Sequence, residues 1–546
     1  MKKIILITIQ LVLCFFVPAQ TLVKDINPGN GYSLPRNFVA LGNLTLFIAS
    51  DNLHGYELWK TDGTTLGTSL VMDINPGVAD GLYFTDGTST EHYTPLVVMG
   101  SKVYFFANDG STGFELWSSD GTTSGTAIVK DINPGSGDAV FELYTSIAIM
   151  GNELYFRADD GTDGAELWKS DGTALGTSMV KNINPSVASY PDNLHPDGNL
   201  IYFSADDGTN GREPWISDGT TLGTRMLADI NSGSNGSDVQ EFTKFNNKIY
   251  FNANNGIDGY ELWTTDGTTS GTQLLKDINP SINSSSSTWD FIVYNNHLFF
   301  DAYDGTNGSE LWYTDGTTPG TLLLKNIFPG SGSGYPYELT LFDGKIFFQA
   351  NDGTHGAELW STDGTTLGTS LFLDINNGTN QSSSPYDLTV ANGSLYFSAT
   401  DGTNGYELWK TDGTIAGTSM LNQICPGSCD GFPSNKFQNG NTLFFSAYET
   451  TTGYELYKLD LPTTGINELS ENNLKVYPNP FSSQLQVKGT GANGELVLFD
   501  ILGKDILRQK TYSSETTINT ENLSPGIYLL SYLNGNKTIN IKITKF

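Results

Sequence analysis

The stretch richest in possible metal ligands is "ADDGTDGAE", residues 158–166. It places Asp159, Asp160, Asp163 and Glu166 in one predicted turn, and carboxylate oxygens are the ligands that a hard cation such as Ca²⁺ prefers. The spacing differs from that of an EF-hand loop, and other copies of this turn, such as "NDGSTGFE", carry fewer carboxylates. The stretch therefore predicts either a calcium site or a solvated turn whose Asp side chains accept backbone N–H groups.

No arrangement of residues that is typical of catalysis is present. The five histidines are scattered, and the sequence contains no G-x-S-x-G, H-E-x-x-H or phosphate-loop motif. Carboxylates recur because turns recur, so no pair is distinguished as an acid and base couple. We predict no catalytic residue, although the catalytic groups of an enzyme can come from loops scattered along the chain.

Aromatic residues interrupt the segments that follow "DINPG"-like motifs. Aromatic rings among Asp and Asn side chains suit sugar binding through stacking and hydrogen bonds. The alternative is that these rings fill the ends of the folded repeats as core. The predicted binding residues are Tyr83, Tyr93, Tyr190, Trp289, Tyr335 and Tyr337.

Cys425 and Cys429 stand in "ICPGSCD", where other repeats read "INPGS". Two cysteines this close around a Pro-Gly turn are well placed for a local disulfide in an exported protein. We predict that bond.

These candidate residues lie within a repeat. The motif positions are Trp59, Trp117, Trp168, Trp215, Trp263, Trp312, Trp360, Trp409 and Tyr457. Their spacing is about 48 residues, and each unit contains four short apolar or aromatic stretches closed by Asp-Gly or Asn-Gly turns. The pattern predicts an all-β protein, a β-propeller of about nine four-stranded repeats over residues 20–460. An eight-bladed ring with one divergent unit outside it is the alternative.

The two ends of the repeat array complement each other. The array opens with "TLVKDINPG", a fourth strand alone, and ends with "TLFFSAYETTTGYELYKLD", a unit that lacks its fourth strand. We therefore predict that residues 21–27 pair beside residues 454–459, which would close the ring and remove exposed sheet edges. In such a fold the loops after "DINPG" lie on one face, and the "DGTTxGT" turns lie on the other.

The repeats resemble the ELWxxDGT repeat proteins. The motif is represented by Glu358, Trp360, Asp363, Gly364 and Thr365; one copy reads "REPW", with Pro214 in place of Leu, and the ninth replaces Trp by Tyr457. The resemblance implies an extracellular bacterial repeat protein, and it brings no established activity to this chain.

A different sequence pattern follows the repeats. Residues 461–473 form a polar linker, and residues 474–546 read as short alternating strands, which predicts a small immunoglobulin-like β-sandwich. This segment resembles the type A sorting domain of the type IX secretion system, through Tyr477-Pro478-Asn479-Pro480, "LFDILGK" and "LSPGIYLL". The resemblance implies the type IX machinery as a partner, export across a Gram-negative outer membrane, and then release or surface attachment.

The N-terminus reads "MKKIILITIQLVLCFFVPAQT". Two lysines, a short apolar run and small residues predict a signal peptide over residues 1–19, cleaved between Ala19 and Gln20, with an uncleaved anchor as the alternative. No other run is long enough to span a membrane.

Charge and composition restrict the function further. Lys and Arg number 28 against 59 Asp and Glu, for a net charge of −31, which disfavours nucleic acid as a partner. We predict a secreted or surface-displayed binding or adhesion scaffold, for a glycan or another surface polymer. The alternative is an extracellular polysaccharide-active enzyme on the same fold.

Overall fold

The computed structural model describes residues 19–84, 92–140, 146–281, 283–462, 475–477, 481–488, 494–500, 504–513, 515–534 and 537–545. These residues form strands and turns, and none of them forms a helix long and apolar enough to cross a membrane. The chain divides into two compact units, Met1–Leu461 and Pro462–Phe546.

Within the described residues, the first unit contains nine four-stranded antiparallel sheets, which we call blades 1 to 9. The first strands are β2 Arg36–Leu41, β8 Val97–Met99, β12 Ile147–Met150, β16 Asp192–Asp197, β20 Gln240–Phe245, β24 Trp289–Tyr294, β28 Tyr337–Phe342, β32 Tyr386–Ala391 and β36 Ser434–Asn439. The second strands are β3 Leu44–Ser50, β9 Lys102–Asn108, β13 Glu153–Asp159, β17 Leu200–Asp206, β21 Lys248–Asn254, β25 His297–Tyr303, β29 Lys345–Asn351, β33 Ser394–Thr400 and β37 Thr442–Glu449.

The third strands carry the ELW motif. They are β4 Tyr56–Thr61, β10 Phe114–Ser119, β14 Ala165–Ser170, β18 Arg212–Ser217, β22 Tyr260–Thr265, β26 Ser309–Thr314, β30 Ala357–Thr362, β34 Tyr406–Thr411 and β38 Gly453–Asp460. The fourth strands are β5 Ser69–Met72, β11 Ala127–Lys130, β15 Ser178–Lys181, β19 Arg225–Met226, β23 Gln273–Lys276, β27 Leu322–Lys325, β31 Ser370–Leu373, β35 Ser419–Met420 and, for blade 9, β1 Gln20–Lys24. A short hairpin, β6 Tyr83–Phe84 and β7 His92–Tyr93, interrupts the connection to blade 2.

The first strands of neighbouring blades contact one another, as in a propeller. The second strands are apolar on both sides because each blade is covered on both faces by its neighbours. Leu58 of blade 1, for example, shares a buried cluster with Phe105 and Trp117 of blade 2. The Leu and Trp of the motif therefore pack between blades.

The N-terminal strand belongs to the last blade, as predicted. In β1, Gln20 pairs with Leu459 and Leu22 with Tyr457, so the described residues place residues 20–24 beside the end of the array. Lys24 also donates from Nζ to the Thr68 carbonyl of blade 1 at 2.7 Å. All nine units form four-stranded sheets, the last of them completed by β1.

The "DGT" motifs are turns that also join blades. Asp62 Oδ1 accepts hydrogen bonds from the backbone N–H of Thr64 at 2.8 Å and from its hydroxyl at 2.7 Å. The next residue, Thr65, donates to the Val23 carbonyl of blade 9 at 2.7 Å.

The motif glutamate, whose role the sequence did not reveal, links each third strand to its own "DIN" segment. Glu166 is fully buried and accepts hydrogen bonds from Ile183 N at 2.8 Å, Asn184 N at 3.2 Å and Ser189 Oγ at 2.6 Å. The glutamate therefore supplies acceptors to backbone N–H groups that lie outside the strand ladders.

The repeat unit extends one residue beyond the predicted boundary, because Leu461 is buried in the blade 9 cluster. Most of the predicted linker, residues 463–473, and the signal-peptide residues 1–18 lie outside the described residues, and Ala19 and Gln20 open the described chain. Cys425 and Cys429 are joined by a disulfide, with Cα atoms 5.4 Å apart.

The second unit is a two-sheet sandwich, as the alternating pattern predicted. One sheet has the order β39-β40-β43 and the other β42-β41-β44-β45. Their apolar residues meet in one buried cluster that includes Leu485, Leu498 and Ile518. The strands are β39 Lys475–Tyr477, β40 Gln484–Lys488, β41 Gly494–Phe499, β42 Asp505–Thr511, β43 Glu515–Asn519, β44 Gly526–Asn534 and β45 Lys537–Lys545.

Candidate functional site

The turns between second and third strands and the connections between blades lie on the same side of the first unit, which we call the loop face. Hydrogen bonds tie them together: Asp80 Oδ1 accepts from Tyr56 N at 2.8 Å, and Gly81 N donates to the Tyr56 carbonyl at 3.1 Å. The "DGTTxGT" turns lie on the opposite face, because antiparallel strands place alternate turns at opposite ends.

Three of the predicted binding residues are exposed on the loop face. The exposed fractions are 41% for Trp289, 64% for Tyr335 and 57% for Tyr337. Trp289 and Tyr337 begin the first strands of blades 6 and 7, which contact each other. These three rings therefore do not serve as core that fills the ends of the blades.

The other predicted aromatic residues are less available. Tyr190 is half-buried at the blade 4 connection. Tyr83 packs against Tyr56, with ring centroids 5.3 Å apart. Tyr93 pairs with Tyr83 through its backbone, and its side chain lies outside the described residues.

Two of these aromatic residues have a strained backbone conformation on the loop face. Tyr190 and Tyr335 occupy matched positions with φ of 47° and 46°, which bulky residues adopt only when their surroundings impose it. Here the N–H of Tyr335 donates to the Ser309 carbonyl at 3.1 Å. The matched positions with the same conformation are Leu34, Tyr190, Asp238, Ser287, Tyr335, Ser384 and Phe432.

A cavity of about 310 Å³ opens between blades 4 and 5 on this face. Its polar lining comes from the ends of strands in both blades. Gln240 begins the first strand of blade 5, as Trp289 and Tyr337 begin the first strands of blades 6 and 7. The lining residues are Asp192, Asn193, Ser204, Arg212, Asp238, Val239, Gln240 and Tyr260.

Arg212 is the cation of this cavity and is firmly positioned. Its carbonyl accepts from Ser237 N at 2.8 Å, and its Nη1 donates to Ser204 Oγ at 3.1 Å. A Cβ at Gly236 would lie 2.9 Å from the Arg212 backbone nitrogen, so this close approach requires glycine. Across the cavity, the Tyr260 hydroxyl donates to Asp238 Oδ2 at 3.2 Å.

Carboxylates at the second residue of successive first strands join blades 6 to 8. Asp290 Oδ2 accepts from Leu339 N of the next blade at 2.8 Å, and Glu338 Oε2 accepts from Leu388 N at 2.8 Å. Burial raises the pKa of Asp290 and, in blade 5, that of Glu241.

The same series of contacts ends at a buried ion pair in blades 8 and 9. Asp387 Oδ2 lies 2.9 Å from Lys436 Nζ, and burial lowers the pKa of this lysine. In blade 6, burial raises the pKa of Asp301 to about 7, and the Ser309 hydroxyl donates to that carboxylate at 2.6 Å.

The predicted calcium ligands do not converge. Asp160 Oδ1 accepts from Asp163 N at 2.9 Å, as in a hydrogen-bonded turn, whereas the Glu166 carboxylate points into the blade toward Ile183. The described residues do not bring Asp159, Asp160, Asp163 and Glu166 together as one ligand set. Among the described residues, no group of three or more His, Cys, Asp and Glu side chains is arranged to hold a metal ion. Calcium binding elsewhere stays a prediction.

Sequence reasoning missed the cavity. Arg212 and Asp238 are 26 positions apart along the chain, and the connection between blades 4 and 5 brings them together. One signal was present in the sequence. Arg212 of the cavity belongs to "REPW", one of the two copies that depart from ELW.

Comparison with known families identifies the second unit. Residues 475–545 match the family model described as a secretion system C-terminal sorting domain. The C-terminal unit is similar to the sorting domains of this family. This match covers the end of the chain only, and no curated protein matches the sequence.

Solved structures with similar architecture include three that differ widely in role. A study of PorZ, an essential bacterial surface component of the type IX secretion system of Porphyromonas gingivalis, gives 14% identity over 93% of this chain and 75% of that one, with a TM-score of 0.37. Puromycin hydrolase gives 12% identity over 79% and 61%, with a TM-score of 0.37. The β-propeller domain of the Trilobed protease from Pyrococcus furiosus gives 12% identity over 60% and 99%, with a TM-score of 0.31. At these identities and scores, the activities of those proteins do not transfer to this chain.

Proposed function

We propose that this protein is exported by the type IX secretion machinery of a Gram-negative bacterium and acts outside the cell as a binding propeller of nine blades closed into one ring. Its loop face binds a glycan or another surface polymer. The sorting domain supports the export route, and the net charge of −31 disfavours nucleic acid as the ligand.

The exposed aromatic side chains carry this proposal. Trp289 and Tyr337 stand at matched positions of adjacent blades, and Tyr335 precedes Tyr337 by two residues. Large aromatic rings that remain exposed on a rigid scaffold are typical of binding surfaces. A row across two blades suits an extended polymer better than a compact ligand.

The alternative of a polysaccharide-active enzyme needs an acid and a base that can reach the ligand. Three loop-face carboxylates have structural partners: Asp290 and Glu338 accept backbone N–H groups, and Asp387 pairs with Lys436. These partners favour a binding role.

A glycan array probed with the full exported chain tests this proposal. We expect selective retention on a subset of glycans, with competition by the same glycan in solution. Retention on none of the glycans, with no binding to intact cells, would contradict a binding role for the loop face.

A further inference from the structure

The cavity between blades 4 and 5 stands out because the repeat changes there. At the position of Arg212, the first unit otherwise holds uncharged residues. These are Tyr56, Phe114, Ala165, Tyr260, Ser309, Ala357, Tyr406 and Tyr454. A guanidinium at this position is therefore not needed to build a blade.

The guanidinium of Arg212 is also incompletely used by the protein. Asp192 and Asp238 line the same cavity, yet among the described residues the Arg212 side chain is hydrogen-bonded to Ser204 rather than to either carboxylate. The side chain donates one hydrogen bond, to Ser204, so most of its N–H donors remain for a ligand or water.

From this lining we propose that the cavity binds one neutral pyranose unit of the glycan, which deepens the proposed function and rests on it. The hydroxyl groups of a pyranose both donate and accept hydrogen bonds. Arg212 and the Gln240 amide supply donors, and Asp192 and Asp238 supply acceptors. The half-buried ring of Tyr260 offers an apolar surface for the C–H face of the sugar.

Charge disfavours an anionic ligand. Such a group would face the carboxylates of Asp192 and Asp238 inside a chain of net charge −31. The volume of about 310 Å³ falls at the lower end of the range for small-molecule sites, which fits one sugar ring rather than an oligosaccharide.

The test measures binding of single sugars to the full chain by ligand-observed NMR. The probes are the methyl pyranosides of glucose, galactose, mannose, fucose, xylose and N-acetylglucosamine. Methyl glucuronoside, an anionic sugar, and the free amino acid alanine are the comparison ligands. Two variants use residues that other blades already hold at the matched positions: Arg212→Tyr, as at Tyr406, and Asp238→Ser, as at Ser384. The reverse exchange in blade 8, Ser384→Asp, is the matched control.

We expect at least one neutral pyranoside to bind, and each cavity variant to weaken that binding about tenfold with unchanged melting temperature. The control should bind like the wild type. No binding of any neutral pyranoside, equal binding by Arg212→Tyr, or preferred binding of the glucuronoside or alanine would each overturn the proposal. If any of these outcomes occurs and polymer binding on the glycan array persists, the cavity proposal fails while the proposed function stands.

Discussion

At the scale of single residues, the motif glutamate explains why "ELW" and "DIN" recur together. Blades differ in how well this carboxylate is satisfied. Glu166 accepts a bond from Ser189, whereas Glu115 has Ala139 at the matched position and, among the described residues, accepts from Ile132 N and Asn133 N. Burial raises the pKa of Glu115 to about 8 and also raises that of Glu166, which the Ser189 hydroxyl opposes.

These shifts make stability depend on pH. Because the folded pKa of each glutamate lies above its unfolded value, its stabilising contribution is complete below about pH 4.5 and is lost as pH rises through the folded pKa. A hydroxyl donor lowers the folded pKa and so limits that loss.

Ser189→Ala should therefore destabilise the protein by about 1–3 kcal/mol, because a buried carboxylate loses a donor. The loss should be larger at about pH 8 than at about pH 5, since the ionised carboxylate needs that donor most. Urea unfolding at both pH values measures it. The reciprocal variant Ala139→Ser should stabilise the protein at the higher pH; equal losses for Ser189→Ala at both pH values would contradict this account.

At the scale of elements, the lysine that ends many fourth strands fastens one blade to the next. Lys276 Nζ donates to the Thr321 carbonyl of blade 6 at 2.6 Å and lies 5.6 Å from the ring centroid of Trp312. The same contacts recur at Lys130 with Thr177 and Trp168.

Lys276→Met should cost about 1 kcal/mol, because it removes this hydrogen bond and the cation–π contact while leaving an apolar side chain. Blade 1 already holds Met72 at the matched position. Lys345→Met, at an exposed strand start, is the control and should change the free energy of unfolding by less than about 0.5 kcal/mol. Equal effects in thermal unfolding would show that Lys276 does not join the blades.

Much of the scaffold was predictable because it repeats. The period of about 48 residues between the motif tryptophans, together with the Asp-Gly turns, predicted four strands per unit. The incomplete ends predicted that residues 21–27 pair beside residues 454–459, and Leu22 does pair with Tyr457. Contacts that cross a blade or join two blades were not predictable in this way. The bond from Ser189 to Glu166 and the approach of Asp238 to Arg212 depend on strand register and blade packing, which periodicity does not encode.

At the scale of the whole molecule, the pairing of β1 with β38 is the basis for the proposed ring closure. Removing residues 20–24 leaves β38 as an unpaired edge and deletes the bond from Lys24 to Thr68. We expect a lower melting temperature and concentration-dependent association, since exposed edges recruit other strands. Calorimetry with light scattering checks both, and an unchanged, monomeric protein would contradict closure through β1.

The sorting domain should act independently of the propeller, because the two units have separate cores. Deleting residues 475–545 should leave a folded repeat unit in the periplasm. Cell fractionation with limited proteolysis measures location and folding together. Normal surface or culture-medium appearance of the truncated chain would show that export does not need this domain.

The central claim is that repetition builds the scaffold while the irregular loop-face residues bind. The most direct test compares the affinity of three proteins for a glycan selected on the array: the wild type, Trp289→Ala with Tyr335→Ala and Tyr337→Ala, and a matched triple variant on the opposite face. That control replaces the exposed turn residues Leu66, Leu175 and Leu222 by Ala. We predict that the aromatic variant binds at least about tenfold more weakly with a nearly unchanged melting temperature, while the leucine variant binds like the wild type. Unchanged binding by the aromatic variant, or loss of binding by the leucine variant alone, would contradict the account.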